Sequence, residues 1–265
     1  MEQDYWQRQE EKSPLFKDVL WNKPEQKSKS GKLIIIGGSV HGFRSVVNAY
    51  QIANENGAGQ VKVVLPDKLK KQLPPDFSDG IFLPSNDSGG FSTSGLGELV
   101  ESSKWADGIL LIGDTGMNSE TAVLHQNLLA ESSKPITATR DAVDLLLENA
   151  EEVAQSANLS LIMTFAQTQK LFQKVYYPKI ITFSMNLLNF IEALHKFTIT
   201  YPICLATYHQ ENLIVSKGGN VITQKSQRGQ LMTISGEIAT KSATYALWTQ
   251  NNQIASIATA FTNIT

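Results

Sequence analysis

Gly37-Gly38-Ser39 closes a continuous apolar run and opens a segment with helical spacing. Such a turn leaves unpaired backbone N–H groups at the positive end of a helix dipole, where a phosphate or a carboxylate is stabilised. A glycine pair equally permits a tight turn with no ligand at all. His41, just beyond, either reaches a phosphate or ribose or is a surface loop histidine. A second turn, Gly113-Asp114-Thr115-Gly116, also follows an apolar run and can hold a nucleotide hydroxyl, with Gly113 and Thr115 as its binding residues; a turn and helix entry is the plainer account. The first turn does not complete a dinucleotide G-x-G-x-x-G, because Gly42 lies four residues after Gly38, although Asp67 at a strand end keeps that alternative open. Other chemistry is thinly represented. His125, His195 and His209 lack metal-ligand spacing, Cys204 is the only cysteine, and no G-x-S-x-G nucleophile turn occurs, so no metal site and no disulfide are expected.

The elements that must position these turns follow from periodicity. Leu33 to Ile36 reads as a strand covered on both faces, Ser45 to Asn56 as a helix stopped by Gly57, and Val61 to Leu65 as the next strand. This βαβ order forces a parallel sheet with helices packed on it. The pattern recurs with a strand over 108–113, a helix over 119–130 capped near Ser119, a strand over 136–139, a helix over 141–148 and a strand over 159–164. Towards the C-terminus, 203–207, 212–216 and 221–223 are strands too close for helical crossovers, with Lys217-Gly218-Gly219-Asn220 as a hairpin turn. Helices near 237–249 and 254–261 close the chain.

The 265 residues, 42% of them hydrophobic, suffice for one large α/β core. Residues 1–30 are rich in Gln, Glu, Lys and Ser, lack a sheet or helix pattern, and are expected to form an arm pinned by Trp6, Leu15, Phe16 and Trp21; residues 31–265 are expected to form a single domain. A formal charge of -2 gives no field to gather a polyanion, which argues against a nucleic-acid partner and favours small-molecule ligands. No apolar stretch approaches the roughly 18 residues that span a bilayer, and no leader is evident, so a cytoplasmic protein without a membrane partner is expected.

The run from Lys27 to Ser39, with Gly31, Leu33-Ile34-Ile35-Ile36 and Gly37-Gly38-Ser39, followed by Gly57-Ala58-Gly59 and then Leu65-Pro66, resembles the opening of the ADP/ATP-dependent NAD(P)H-hydrate dehydratases. Ala106 to Gly113 with Ser119-Glu120-Thr121 looks like that family's second nucleotide-fold strand and helix, and Pro135 to Val143 is similar to its D-A-D segment, with Thr139 at the first aspartate position and Asp141 at the second. The resemblance covers roughly residues 27–250. It implies a ribokinase-like three-layer α/β/α fold, with a mostly parallel sheet and a C-terminal β-hairpin. The implied activity is repair of hydrated NADH or NADPH, a carbon–oxygen lyase reaction in which ADP or ATP phosphorylates the ring hydroxyl and phosphate then leaves. Mg²⁺ usually offsets charge in such a transfer. Homotetramers are implied by the same resemblance.

By resemblance, nucleotide would lie beside Ser235 and Gly236, and hydrated NAD(P)H near Gly37, Gly38, Ser39, His41 and Asp141. The catalytic base would be Glu237, standing where the family's G-T-G-D turn has aspartate. Ser235 as a helix cap and Glu237 as a complement to the dipole is the structural account of the same residues. Several ionisable groups depart from the family pattern. Ala166 and Gln169 stand at the histidine and glutamate positions of an H-P-G-E element, Leu205-Ala206-Thr207 replaces a strand ending in K-G, and Gly42 and Arg44 replace a tyrosine and glycine. Two alternatives therefore stand beside the enzyme: a nucleotide-binding or structural homologue without chemistry, and a small-molecule kinase of the same fold.

Overall fold

Successive strand residues point to opposite faces of a sheet, and the run Leu33-Ile34-Ile35-Ile36 feeds a separate core on each side. Ile34 and Ile36 pack with Ile109, Leu111, Ala138 and Leu161, while Leu33 and Ile35 pack with Val61, Val63, Leu110 and Ile112. A strand apolar on both faces needs helices on both, and the computed structural model, which describes residues 4–74, 77–249 and 252–262, has that three-layer form.

Its strands are β1 (Trp6–Gln9), β2 (Lys32–Gly37), β3 (Gln60–Pro66), β4 (Gly80–Leu83), β5 (Gly108–Gly113), β6 (Ile136–Thr139), β7 (Leu159–Met163), β8 (Cys204–His209), β9 (Asn212–Lys217) and β10 (Asn220–Lys225). The helices are α1 (Lys17–Trp21), α2 (Arg44–Glu55), α3 (Leu96–Trp105), α4 (Ser119–Glu131), α5 (Asp141–Leu146), α6 (Ala150–Ala154), α7 (Phe165–Lys174), α8 (Leu187–Thr200), α9 (Gly229–Ser235), α10 (Glu237–Ala246) and α11 (Gln253–Ala260). Residues from α3 to α8 fill one core, and residues from α1, α2, α9, α10 and α11 the other.

The ten strands form one sheet in the order β1-β10-β9-β8-β7-β6-β5-β2-β3-β4. All neighbours from β4 to β8 pair in parallel, whereas β9 is antiparallel to both β8 and β10. This is the mostly parallel α/β sheet with a C-terminal hairpin expected above. No helix of the described residues is long and apolar enough to cross a membrane.

Residues 4–30 differ from the arm expected of them. β1 pairs in parallel with β10, Trp6 opposite Val221, and closes that end of the sheet. Its anchors are polar: Gln9 Nε2 donates to Gln224 Oε1 (2.8 Å) and to Ala258 O (2.6 Å), and Trp6 Nε1 to Thr223 Oγ1 (2.9 Å). The buried amide pair replaces the apolar alternation by which a strand is usually recognised. Of the expected anchors, Trp6 and Phe16 pack against the cores, while Leu15 and Trp21 are exposed. α4 is capped by Asn118, whose Oδ1 accepts from Glu120 N (2.8 Å), rather than by Ser119.

His125 on α4 is fully buried with neither ring nitrogen hydrogen-bonded, and burial pushes its pKa from 6.5 down to about 4. The unfolded chain therefore binds a proton at a higher pH than the native one. Below about pH 6.5 the native state must keep a neutral imidazole or pay to charge it, so stability falls until the pH reaches about 4 and then levels. The interval corresponds to about 3 kcal/mol. His125→Leu is expected to match or exceed the parent's stability at pH 7 and to lose this part of the acid dependence, as measured by urea denaturation between pH 7 and 4. Parallel pH profiles for the two proteins would refute the assignment.

Candidate functional site

The chain lays down β2, β3 and β4 in one direction and then returns to the other side of β2 with β5. In an open α/β sheet the crevice forms at such a switch, outside the carboxyl ends of the strands. Here the switch brings Gly37-Gly38-Ser39 beside Gly113-Asp114-Thr115, and β6 adds Arg140 and Asp141.

The turn after β2 is closed on itself. Gly38 N donates to Gly113 O (2.9 Å), Ser39 N to Gly42 O (2.9 Å), Gly42 N to Ser39 O (3.0 Å) and Val40 N to Gly89 O (3.0 Å). Gly37, Gly38 and Ser39 are buried beneath it, and His41 is exposed at its rim. The positive end of α2 has its own anion, because Asp114 Oδ2 accepts from Ser45 N (2.9 Å). Burial raises the Asp114 pKa, but the bonds from Ser45 and the Arg140 guanidinium outweigh it, and the net shift is below the ordinary carboxylate value.

The turn after β5 is also filled from within. Asp141 Oδ1 accepts from Asp114 N (2.7 Å), and Oδ2 from Thr115 N (2.9 Å), Gly116 N (3.0 Å) and Thr115 Oγ1 (3.3 Å). This is the set of amides that would otherwise cradle an anion. Gly113, at φ 91°, allows the approach, since a Cβ there would strike Asp141 Oδ1.

Arg140, which the sequence reading did not single out, ties this cluster to α9 and α10. Nη2 meets Asp114 Oδ1 at 2.5 Å and Nη1 donates to Ile234 O at 2.8 Å, while the buried Nε has no partner. Its carbonyl accepts from Gln167 Nε2 (2.8 Å), which also donates to Asp144 Oδ2 (2.7 Å). A cation directly after a strand that ends at the switch-side edge was the available signal.

At the α9–α10 turn, Gly236 adopts φ 83° and is itself the residue preceding α10. Ser235 Oγ accepts only a long bond from Glu237 N (3.4 Å), and the Glu237 carboxylate pairs with Lys241 one turn along (2.9 Å). So Gly37, Gly38, Ser39, Gly113, Thr115 and Asp141 assemble at the switch, while at the α9–α10 turn Arg140 bonds Ile234 O and approaches Gly236, and Glu237 pairs with Lys241 instead. Asp67 accepts from Ser85 N (3.1 Å) on the far side of β3. Among the described residues no group of three or more His, Cys, Asp or Glu could hold a metal ion.

Open space lies along the carboxyl ends of β6, β7 and β8. A cavity of about 220 Å³ is lined by Thr139, Arg140, Thr164, Gln167, Thr233 and Ile234. It adjoins one of about 360 Å³ that shares Thr164, Thr233 and Ile234 and adds Phe165, Phe183, Tyr208 and His209. Phe165 and His209 are buried and stack on each other at 4.6 Å between centroids, while Phe183, which lines the same chamber, is exposed. A larger hollow of about 570 Å³ between α6 and α7 is lined by Glu148, Glu151, Glu152 and Lys174 and lies away from the strand ends, so the strand-end groove is the better candidate on chemical grounds.

No family model matches the sequence. The chain is 26% identical over 137 residues, half its own length, to a bifunctional NAD(P)H-hydrate repair enzyme from Dictyoglomus turgidum, and spans 27% of that enzyme's length. Its structure is similar to that of a ribokinase-like superfamily protein from Enterococcus faecalis, with a TM-score of 0.68 and 16% identity over 98% of this chain and 86% of that one. It is also similar to an ADP/ATP-dependent NAD(P)H-hydrate dehydratase from Bacillus subtilis co-crystallised with ATP and Mg²⁺, with a TM-score of 0.59 and 10% identity over 93% and 85% of the two chains. The fold is therefore ribokinase-like, as the sequence motifs implied.

Removing the Asp141 carboxylate strands three backbone N–H groups. Asp141→Ala is expected to destabilise the protein by about 2–4 kcal/mol, and Asp141→Asn, which retains one acceptor oxygen, by about half as much. Equilibrium urea denaturation measures both, and a loss under about 0.5 kcal/mol for Asp141→Ala would show that water replaces the carboxylate without cost.

Proposed function

We propose that this chain is a nucleotide-binding protein related to the NAD(P)H-hydrate dehydratases, holding ADP or ATP in the groove along β6 to β8 without turning over hydrated NAD(P)H. One observation carries the reading: the carboxylates at the switch are already engaged, Asp141 by backbone amides and Asp114 by Ser45 N and Arg140, while the groove beside them stays open. Phosphorylation of a ring hydroxyl needs a carboxylate free to accept its proton in a near-attack position. Asp141 spends both oxygens on backbone amides, Asp114 is held by Ser45 N and Arg140, and Glu237 faces Lys241. The groove suits a nucleotide. The exposed Phe183 ring offers a stacking face for a base, and Thr164, Gln167 and Thr233 offer hydroxyl and amide groups for a ribose. These side chains do not form a protein-held Mg²⁺ site, and any Mg²⁺ would arrive on the nucleotide's phosphates, keeping most of its water.

A second reading retains catalysis, and the position of Glu237 favours it. Its carboxylate opens α10 directly after the left-handed Gly236, where a base of the family would stand. On that reading hydrated NAD(P)H lies over Gly38, Ser39 and His41, and Glu237 must first release Lys241.

The two readings separate in one experiment. Incubated with hydrated NADPH and ADP or ATP, the protein is expected to show nucleotide-dependent thermal stabilisation, about 2.7 kcal/mol at a hundredfold excess over Kd, with no return of the dihydropyridine absorbance. Turnover that disappears in Glu237→Ala would establish the enzyme instead.

A further inference from the structure

We infer that Arg140 is the cation that receives the phosphate chain of the bound nucleotide, exchanging Asp114 for phosphate as it does so; the inference rests on the nucleotide-binding reading above. The backbone of Arg140 lies at φ 59° and ψ -140°, a region that suits glycine. A side chain held there is strained and persists only where its surroundings over-determine it. The surroundings do so here. The Arg140 carbonyl is bonded by Gln167, and the next residue, Asp141, is fastened by three amides, so the backbone is fixed at the strand end.

The side chain, by contrast, is held at two points and incompletely satisfied. It lines the 220 Å³ cavity, is partly solvent-accessible, and carries a buried Nε with no partner. A guanidinium presents five donors in a planar fork suited to phosphate oxygens. Its present partners are Ile234 O and a single Asp114 oxygen, and the latter carboxylate keeps a second bond to Ser45 N, so it stays satisfied when Arg140 leaves.

The Arg140 Cδ lies 3.7 Å from where a Cβ on Gly236 would be, which places the cation at the amino end of α10. The helix end and the guanidinium therefore attract a polyanion to the same place. Lys241, the cation on α10 itself, is paired with Glu237. Phosphates placed between Arg140 and the Ser235-Gly236 turn leave the base to extend past Thr164 and Thr233 towards the Phe165–His209 stack, which is the direction in which the two cavities join.

Titration calorimetry of the full chain with ATP, adenosine and inorganic tripolyphosphate tests this. The parent is expected to bind ATP at least about tenfold more tightly than adenosine, and to bind tripolyphosphate measurably. Arg140→Gln should weaken ATP about tenfold or more and abolish tripolyphosphate binding, with adenosine unchanged; Arg140→Lys, keeping the charge without the fork, should fall between. Asp114→Asn keeps an oxygen for Ser45 N but frees the guanidinium, and should tighten ATP binding a few-fold. ATP affinity unchanged in Arg140→Gln overturns the inference and leaves nucleotide binding standing. If that variant does not fold, Asp114→Asn decides, and ATP binding unchanged or weakened there overturns it too. Failure of the parent to bind either ATP or adenosine removes the nucleotide reading, and this inference with it.

Discussion

A parallel sheet with helices on both faces gathers the positive ends of its helices and the amides of its strand-end turns along one edge. Those N–H groups must find acceptors, and at the junction of β2 and β5 the acceptors belong to the chain itself. Asp114 reaches across to the first turn of α2, and Asp141 reaches back to the amides of residues 114–116. A buried amide left without a partner costs more than the bond it would have made is worth. Two carboxylates on neighbouring strand ends therefore fix the geometry of everything around them.

Arg140, the residue between β6 and Asp141, lends its guanidinium to the Asp114 carboxylate. Its second bond, to Ile234 O, carries the network over to the α9–α10 turn. Positive φ at Asp114, at Arg140 and at Gly236 marks the three corners of this arrangement. These corners are strained or glycine-dependent, while the strands that lead into them are regular.

The strands were readable because their residues are unusual: Leu33 to Ile36 and Ile109 to Ile112 have no polar alternation, and only a strand buried on both faces tolerates that. The glycine turns were readable too. What occupies them was not, since Asp141 meets the amides of residues 114–116 across 25 to 27 positions and Arg140 meets Ile234 across 94. Nothing in local spacing reports such pairings. Periodicity passed over β1 for a related reason, because Gln7, Arg8 and Gln9 carry no apolar alternation and the strand is held by a glutamine pair instead.

That glutamine pair joins residues 215 positions apart, so of the ten strands in this sheet β1 is made before the others and must wait for β10 to find its neighbour. At ordinary elongation rates of about 5–20 residues per second, β1 waits roughly ten to forty seconds for β10 to be made. During that interval it is an unpaired polar segment, poorly suited to sticking to other nascent chains, whereas an apolar strand of the same length would not be. The amides that hold β1 in the finished sheet thus also leave most of it polar until β10 has been made.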